Sequence, residues 1–200
     1  MADYLPAPHG LTNFAVPVEE VYPALVPFLE LTDGRVLVAS DGADQIEPGK
    51  DGRSLRAVWK RWALVDSKPG QLVDPHIMST VVWRADGTTL KREETLLSSE
   101  NVTLRRWWFA VPTTASSQKV KAIDREHRAR LESKEGALEV RVSADWPLKV
   151  SLLTTGNGPL GRGARGAIPL HLVYDAEGLR LTANRAAHWR ITLKVEERKR

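Results

Sequence analysis

A glycine-rich segment that carries two arginines is the most distinctive local motif of the sequence. Gly161, Gly163 and Gly166 match the letters of the dinucleotide-binding pattern G-x-G-x-x-G. That pattern needs a helix directly after the glycines, so that backbone N–H groups point at a pyrophosphate. The residues that follow, Ile-Pro-Leu-His-Leu, are typical of a strand, so we expect no dinucleotide site. Two interpretations stay open: a long hairpin connection, or an anion clamp in which Arg162 and Arg165 pair with a uronate or a sulfate.

Residues for catalysis or metal binding are not grouped by any specific spacing. The five histidines show no metal-ligand spacing, and the absence of cysteine excludes thiolate nucleophiles and cysteine-ligated metals. No Gly-x-Ser-x-Gly elbow is present. We therefore expect no metal and no cofactor. One catalytic interpretation groups His171, Tyr174 and Arg162 in a cleft, because a lyase needs a base beside the proton it removes and a cation for the carboxylate.

Tryptophan is over-represented, with seven residues against three phenylalanines and three tyrosines. One interpretation is packing within the core and between sheets. The functional alternative is a platform on which the apolar face of a sugar ring stacks, and Trp62 and Trp107 are the candidates. Trp107 and Trp108 are adjacent, so in a strand they point to opposite faces. At most one of them faces the core of a simple sandwich, and the other is covered or available.

Length and composition fit one compact domain. The chain has 200 residues, of which 42% are hydrophobic and 27% are charged. No apolar run approaches the ~20 residues that span a bilayer. No signal peptide is visible, so we expect a cytoplasmic location unless the chain is a fragment of an exported protein. The net charge of +4 allows anionic partners, but the charges are spread along the chain beside acids, so nucleic acid is not expected.

Turn-forming residue pairs recur along the chain at intervals that are typical of a β protein. Turn signals are the Asp-Gly and Glu-Gly pairs at 33–34, 41–42, 51–52, 86–87, 135–136 and 177–178. Between them lie short runs rich in Val, Leu, Thr and Trp. We predict strands at 35–40, 55–65, 80–84, 89–97, 102–111, 138–143, 148–154, 168–174, 179–182 and 188–195.

These elements predict an all-β fold, an antiparallel β-sandwich or supersandwich of about ten or more strands with little helix. The stretch 116–133 has spacings that a helix could use. Gly136 lies between two alternating runs, however, which favours a hairpin of 128–133 with 138–143. Residues 1–10 are predicted as an extended arm or linker, and 11–200 as a single β-sandwich domain.

The middle of the chain has a characteristic order of motifs. A Trp-rich strand, LRAVWKRW at 55–62, is followed by VVWRADG at 81–87, LKREET at 90–95 and the strand at 102–112. This order resembles the β-sandwich portion of heparinase II/III-like and related polysaccharide-degrading enzymes. The resemblance implies a sandwich that packs beside an α/α-toroid carrying most of the catalytic residues. The sequence has no helical segment for a toroid, so the catalytic Tyr and His of that family are not carried over onto any position.

The sequence therefore predicts a non-catalytic β-sandwich module of a bacterial polysaccharide-processing protein. Its partners would be an acidic polysaccharide or a neighbouring helical catalytic domain, without a membrane. The predicted carbohydrate contacts are Trp62, Trp107, Arg162 and Arg165. One alternative is a small stand-alone polysaccharide lyase or hydrolase that uses His171, Tyr174 and Arg162. The other is a structural or interaction domain.

Overall fold

The computed structural model describes residues 25–39, 42–65, 71–113, 119–123, 127–132, 136–154 and 170–197. Within these ranges the regular elements are β-strands, and no helix has the length and apolar character that crossing a membrane requires. The strands are β1 (Phe28–Leu31), β2 (Val36–Val38), β3 (Gln45–Pro48), β4 (Ser54–Trp59), β5 (Trp62–Leu64), β6 (Leu72–Val73), β7 (Ile77–Asp86), β8 (Thr89–Ser98), β9 (Val102–Thr113), β10 (Lys119–Ile123), β11 (Arg128–Glu132), β12 (Gly136–Ala144), β13 (Lys149–Thr154), β14 (Leu170–Leu181) and β15 (Ala186–Glu197).

Two antiparallel sheets pack face to face as a sandwich. One has seven strands in the order β13-β14-β9-β1-β2-β5-β6, and the other has eight in the order β10-β11-β12-β15-β8-β7-β4-β3. This architecture confirms the all-β sandwich predicted from the sequence. The boundary between an arm at 1–10 and a domain at 11–200 stays a prediction, because residues 1–24 lie outside the described ranges.

Two of the predicted turns form at glycines with a positive φ. Asp33-Gly34 connects β1 to β2, and Asp86-Gly87 connects β7 to β8. The φ angles are 87° at Gly34 and 53° at Gly87. An L-side chain is strained in this region of backbone space, which explains why glycine follows the acidic residue at both turns.

Strand β14 is longer than the sequence indicates. The predicted strands 168–174 and 179–182 form one strand, and the turn predicted at Glu177-Gly178 is wrong. Gly178 has a φ of 64°, yet the register of β14 on β9 is the same on both sides of it. Pairing with the 12-residue strand β9 therefore keeps the chain extended through a local turn signal.

The predicted strand 55–65 is divided between the two sheets. Its first half is β4 in the eight-stranded sheet, and its second half is β5 in the seven-stranded sheet. The chain crosses from one sheet to the other at Lys60 and Arg61. The backbone N–H of Lys60 donates a 2.7 Å hydrogen bond to Oδ2 of Asp44, which fixes this corner. The Trp-rich segment thus ties the two layers together covalently.

The stretch with an ambiguous pattern forms the predicted hairpin. β11 pairs with β12, with Arg128 opposite Arg141 and Leu131 opposite Leu138. β12 then pairs with β15, which lies between β12 and β8. The last strand described along the chain is therefore an interior strand of the eight-stranded sheet.

The core between the sheets is built around aromatic rings. Trp107 of β9 packs edge-on against Trp146 and Trp189, with ring centroids 5.3 Å apart in both pairs. Phe109 lies 4.9 Å from Trp189 and stacks on Tyr174 at 5.1 Å. Offset and edge-on aromatic pairs add to the free energy gained from burial alone. Trp189 belongs to the eight-stranded sheet and Trp107 to the other, so these contacts hold the layers together.

Trp108 points to the opposite face of β9 from Trp107, as the sequence predicts for adjacent strand residues. It is buried in a second apolar cluster with Phe28, whose ring centroid is 5.5 Å away, and with Val38. The guanidinium of Arg106 lies 4.4 Å from its ring centroid. The seven-stranded sheet therefore carries buried apolar residues on both faces.

A charged network crosses one end of the outer face of the eight-stranded sheet. Arg130 donates hydrogen bonds to Glu132 at 3.1 Å and to Glu196 at 2.7 Å, and Lys194 lies 3.4 Å from Glu196. The hydrogen bond from Arg130, helped by its charge, lowers the pKa of Glu196. The same hydrogen bond raises the pKa of Arg130.

We expect Arg130→Met to raise the pKa of Glu196 toward its ordinary value, because the donor and its charge are lost. The folded pKa of Glu196 lies below its unfolded value. The carboxylate therefore contributes stability above the unfolded pKa, and this contribution is lost as the pH falls through the folded pKa. An NMR titration of the Glu196 side-chain carboxyl measures the shift. Arg35→Met, at a distant turn, should leave that pKa unchanged, and an unchanged value in Arg130→Met would contradict the network.

Candidate functional site

The two tryptophans predicted as sugar contacts lie inside the sandwich. Trp62 and Trp107 are both 0% exposed. The indole N–H of Trp62 donates a 2.7 Å hydrogen bond to the carbonyl oxygen of Ile77 in the facing sheet, and Trp107 packs against Trp146 and Trp189. Since both side chains face the opposing layer, neither ring has a face on which a sugar can stack. This position corrects the prediction for these two residues.

Of the predicted catalytic grouping, the structure describes His171 and Tyr174, which both lie in β14. Tyr174 is fully buried, and its hydroxyl donates to the backbone carbonyl of His127 at 3.4 Å. His171 is an odd number of positions away, so the two positions lie on opposite faces of the strand. Arg162 and Arg165 lie outside the described residues, and the anion clamp proposed for them stays a prediction.

An apolar surface occupies part of the inner face of the eight-stranded sheet. The large hydrophobic residues that are exposed within the described ranges are Ile46, Leu55 and Val195, at 63%, 40% and 49%. By register, all three lie on the face that elsewhere carries the core, with Leu55 directly opposite Trp83. Their exposure means that the facing layer does not cover this part of the sheet. We call the residues Ile46, Leu55, Trp83, Leu90 and Val195 the apolar shelf.

Trp83 connects the apolar shelf to the core. Five of the seven indoles are buried, and only Trp59 and Trp83 are partly exposed. Trp83 is paired with Leu55 on one side and with Arg92 on the other. The guanidinium carbon of Arg92 lies 5.7 Å from the ring centroid of Trp83, within the range of a cation–π contact. The indole is thus held from the core side while part of its surface remains on the shelf.

A buried ion pair lies beside Trp83. Arg92 and Glu94 are each 2% exposed, and Arg92 Nη1 donates to Glu94 Oε2 at 2.7 Å. Trp189 Nε1 donates to the same oxygen at 2.7 Å, and the hydroxyl of Ser79 donates to Oε1. The carboxylate is therefore satisfied by three donors, as a buried charge requires. With both oxygens occupied, Glu94 is suited to holding Arg92 in place rather than to moving protons.

Arg92 is held between two indoles. Its guanidinium carbon lies 4.4 Å from the ring centroid of Trp189 on the core side, compared with 5.7 Å for Trp83. Its Nε is buried without a hydrogen-bond partner. Such a group costs free energy, so the buried Nε lowers the stability of the fold. Because Arg92 contacts both Trp189 in the core and Trp83 on the apolar shelf, the packing of the core affects the orientation of the Trp83 indole.

The sequence analysis missed Trp83, Arg92 and Glu94 as site residues, although a signal was present. In β8 the charged pair alternates on the same face as Leu90 and Leu96, while Lys91, Glu93 and Thr95 occupy the other face. Two charges on the apolar side of a strand predict a buried pair that needs hydrogen-bond partners. The pattern can be recognised in the sequence only when it is known which face of β8 points toward the core.

The described residues contain no group of three or more His, Asp or Glu that could hold a metal ion. His188 Nδ1 lies 3.1 Å from the hydroxyl of Thr95, and His76 lies 4.0 Å from Glu100. These histidines therefore make separate local contacts rather than one cluster.

Solved structures of known proteins share this fold. Heparinase III matches with a TM-score of 0.52 and 13% identity, over 86% of this chain and 23% of that chain. A heparan sulfate lyase from Pedobacter heparinus matches with a TM-score of 0.50 and 5% identity, over 86% of this chain and 24% of that chain. An aldose 1-epimerase candidate from Escherichia coli K12 matches with a TM-score of 0.50 and 10% identity, over 85% of this chain and 79% of that chain.

These matches support the predicted resemblance to heparinase at the level of the fold. This chain spans about a quarter of the length of the heparinase III and heparan sulfate lyase chains. No protein-family model and no curated protein sequence matches it.

We expect Glu94→Ala to lower the free energy of unfolding by about 3–5 kcal/mol, because it leaves the charge of Arg92 buried and unpaired. The matched control is Glu93→Ala, whose ion pairs lie on the outer face, and it should cost no more than about 1 kcal/mol. The double variant Arg92→Met with Glu94→Leu should recover only part of the loss, because it removes both buried charges but leaves the donors of Ser79 and Trp189 without an acceptor. Urea unfolding measures all three variants. Equal losses in Glu94→Ala and Glu93→Ala would argue against a buried pair.

Proposed function

We propose that this protein is a non-catalytic, carbohydrate-contacting β-sandwich module of a polysaccharide-processing protein, with the apolar shelf as the contact surface. The observation that carries the proposal is that the exposed large hydrophobic residues of the described ranges share one face of one sheet. A grouped exposed apolar surface on an otherwise charged protein marks a binding site. Scattered single exposed side chains would carry no such meaning.

The chemistry of the shelf favours a sugar ring. A partly exposed indole offers a flat apolar surface with a polar N–H, which suits a ligand that is apolar on one face and polar at its rim. Arg92, which Glu94 holds in place, lies against the indole of Trp83 on its core side, so little conformational freedom has to be lost on binding. The fold likeness adds support, because the names of the matching proteins refer to heparan sulfate and to an aldose.

A binding role is proposed over catalysis because of the position of Tyr174. In the alternative lyase or hydrolase, this hydroxyl would have to reach a substrate, but it donates to a backbone carbonyl inside the sandwich. In heparinase-like chains, a sandwich of this kind makes up about a quarter of the length. We therefore propose that this module works beside a catalytic domain that supplies the reacting groups.

We expect Trp83→Ala to weaken carbohydrate binding at least about tenfold, because truncation of an aromatic anchor costs about 2 kcal/mol or more. Affinity gel electrophoresis in heparan sulfate, polygalacturonate and dextran measures the retardation. The matched control is Val82→Ala, the neighbouring residue on the opposite face of β7, which should leave retardation unchanged. If the unaltered protein shows no retardation in any of the three gels, the proposal fails.

The proposed anion clamp of Arg162 and Arg165 is tested in the same gels. We expect Arg162→Ala with Arg165→Ala to reduce retardation by heparan sulfate and polygalacturonate and to leave dextran unaffected, because only the first two carry anionic groups. Equal effects on the acidic and neutral gels would remove the clamp from the proposal.

A further inference from the structure

Three Asp-Gly pairs lie wholly within the described residues, and each has its glycine at a positive φ. They are Asp33-Gly34, Asp51-Gly52 and Asp86-Gly87, with φ angles of 87°, 65° and 53° at the glycines. All of these residues are exposed. An aspartate followed by glycine is chemically labile, because the glycine has no side chain to hinder attack of its nitrogen on the carboxyl carbon. The three pairs therefore share one reaction, and their local structure decides how readily each undergoes it.

The first pair has both of its reacting groups held in hydrogen bonds. The carboxylate of Asp33 accepts from the backbone N–H of Arg35 at 3.0 Å and from its Nε at 2.7 Å. The backbone hydrogen bond, helped by the guanidinium, lowers the pKa of Asp33. The N–H of Gly34 donates to the carbonyl oxygen of Leu31 at 3.0 Å. The nitrogen is therefore occupied, and the carboxyl group is kept in its ionised form, which resists attack by a nucleophile.

The second pair is protected in the same way. The carboxylate of Asp51 accepts from the backbone N–H of Arg53 at 3.0 Å and from the hydroxyl of Ser54 at 3.2 Å. The hydrogen bond from Arg53, helped by that from Ser54, lowers the pKa of Asp51. The N–H of Gly52 donates to the carbonyl oxygen of Gly49 at 3.0 Å. Reaction at this turn therefore also requires hydrogen bonds of both groups to break first.

The third pair has neither form of protection. Asp86 is paired with Thr89, so Gly87 and Thr88 alone form the loop between β7 and β8. Within the described ranges, the carboxylate of Asp86 and the N–H of Gly87 have no hydrogen-bond or ion-pair partner. The carbonyl oxygen of Thr88 accepts from the N–H of Val195 at 2.9 Å. This bond holds the turn against β15 and leaves both reacting groups free.

We propose that Asp86 is the preferred site of isoaspartate formation among these Asp-Gly pairs in the folded protein. The nitrogen of Gly87 attacks Cγ of the protonated Asp86 carboxyl, an N–Cγ bond forms, and the carboxyl hydroxyl leaves with the amide proton as water. A water molecule then adds to the α-carbonyl carbon of the cyclic imide and breaks its bond to nitrogen. One water is lost and one is gained, so the product is an isomer and the reaction consumes no cofactor.

The product alters the turn and creates a new chemical group on it. The main chain then runs through Cβ and Cγ of residue 86, which adds one carbon to a hairpin whose register depends on the length of its loop. The α-carboxyl that is set free is the group that isoaspartate-repair methyltransferases modify with S-adenosylmethionine. The turn is therefore also a proposed substrate site for a methyltransferase of this class. The inference is independent of carbohydrate binding.

Storage of the intact, folded protein at about pH 6 tests the site, because aspartyl carboxyls keep a small protonated fraction there. Peptide mapping measures isoaspartate at each pair. Trypsin releases Asp33 in peptide 1–35 and Asp86 in peptide 85–91, and cleavage after lysine alone releases Asp51 in peptide 51–60. We expect isoaspartate to form at least about tenfold faster at Asp86 than at the other two, because only those have hydrogen bonds to break.

The same chain in concentrated urea is the matched control, since all three aspartates precede glycine and lose their local structure. The three rates should then agree within about twofold. Asp86→Glu keeps the charge of the turn but lengthens the side chain, so that a six-membered ring would have to close. This variant should lose the isoaspartate of peptide 85–91 and the labelling of that peptide by an isoaspartate methyltransferase with radioactive S-adenosylmethionine.

The other outcomes each overturn the inference. Equal rates at the three pairs in the folded protein, or a faster rate at Asp33 or Asp51, would show that the hydrogen bonds do not protect. Isoaspartate that forms in urea but at none of the pairs in the folded protein would show that the turn itself shields Asp86. A preference for Asp86 that persists in urea would trace the reaction to the sequence around it rather than to the fold.

Discussion

The architecture depends on the indole of Trp189. Its ring packs against Trp107 and Phe109 of the facing sheet, and its N–H donates to the buried carboxylate of Glu94. One side chain therefore closes the apolar core and satisfies a charge within it. Because Glu94 holds Arg92, and Arg92 lies against both Trp189 and Trp83, a continuous set of contacts runs from the sheet interface to the apolar shelf. The shape of the candidate contact surface follows from how the core packs.

The two faces of the eight-stranded sheet have different chemistry because the side-chain period of a strand is two. In β8, Lys91 is exposed on the outer face, and Arg92, the next residue, is buried beside the shelf. A slip of one residue in register would exchange these environments and bury the wrong cation. The hydrogen bonds to Glu94 from Ser79 on β7 and Trp189 on β15 set the register of β8 from both sides. The buried ion pair thus specifies which charges face outward.

The sequence predicts local structure well and tertiary position poorly. Alternation and acidic-Gly pairs predict most strands, the hairpin of β11 with β12, and the opposite directions of Trp107 and Trp108. The division of 55–65 between two sheets was not predictable, since a strand pattern does not say which layer it joins. Trp62 and Trp83 lie in similar Trp-containing strands, yet one is covered and the other is not, because burial depends on where the opposing sheet ends.

The place of β15 inside its sheet has a consequence for how the molecule forms. The hydrogen bond from Trp189 to Glu94 joins residues 95 positions apart, and β15 must insert between β12 and β8. Closing so large a loop is slow, and the edge of β8 that β15 covers stays unpaired until it happens. During synthesis on the ribosome, the earlier strands therefore have no complete sheet to join. Folding is expected to finish only after residues 186–197 have emerged, because β15 completes the eight-stranded sheet.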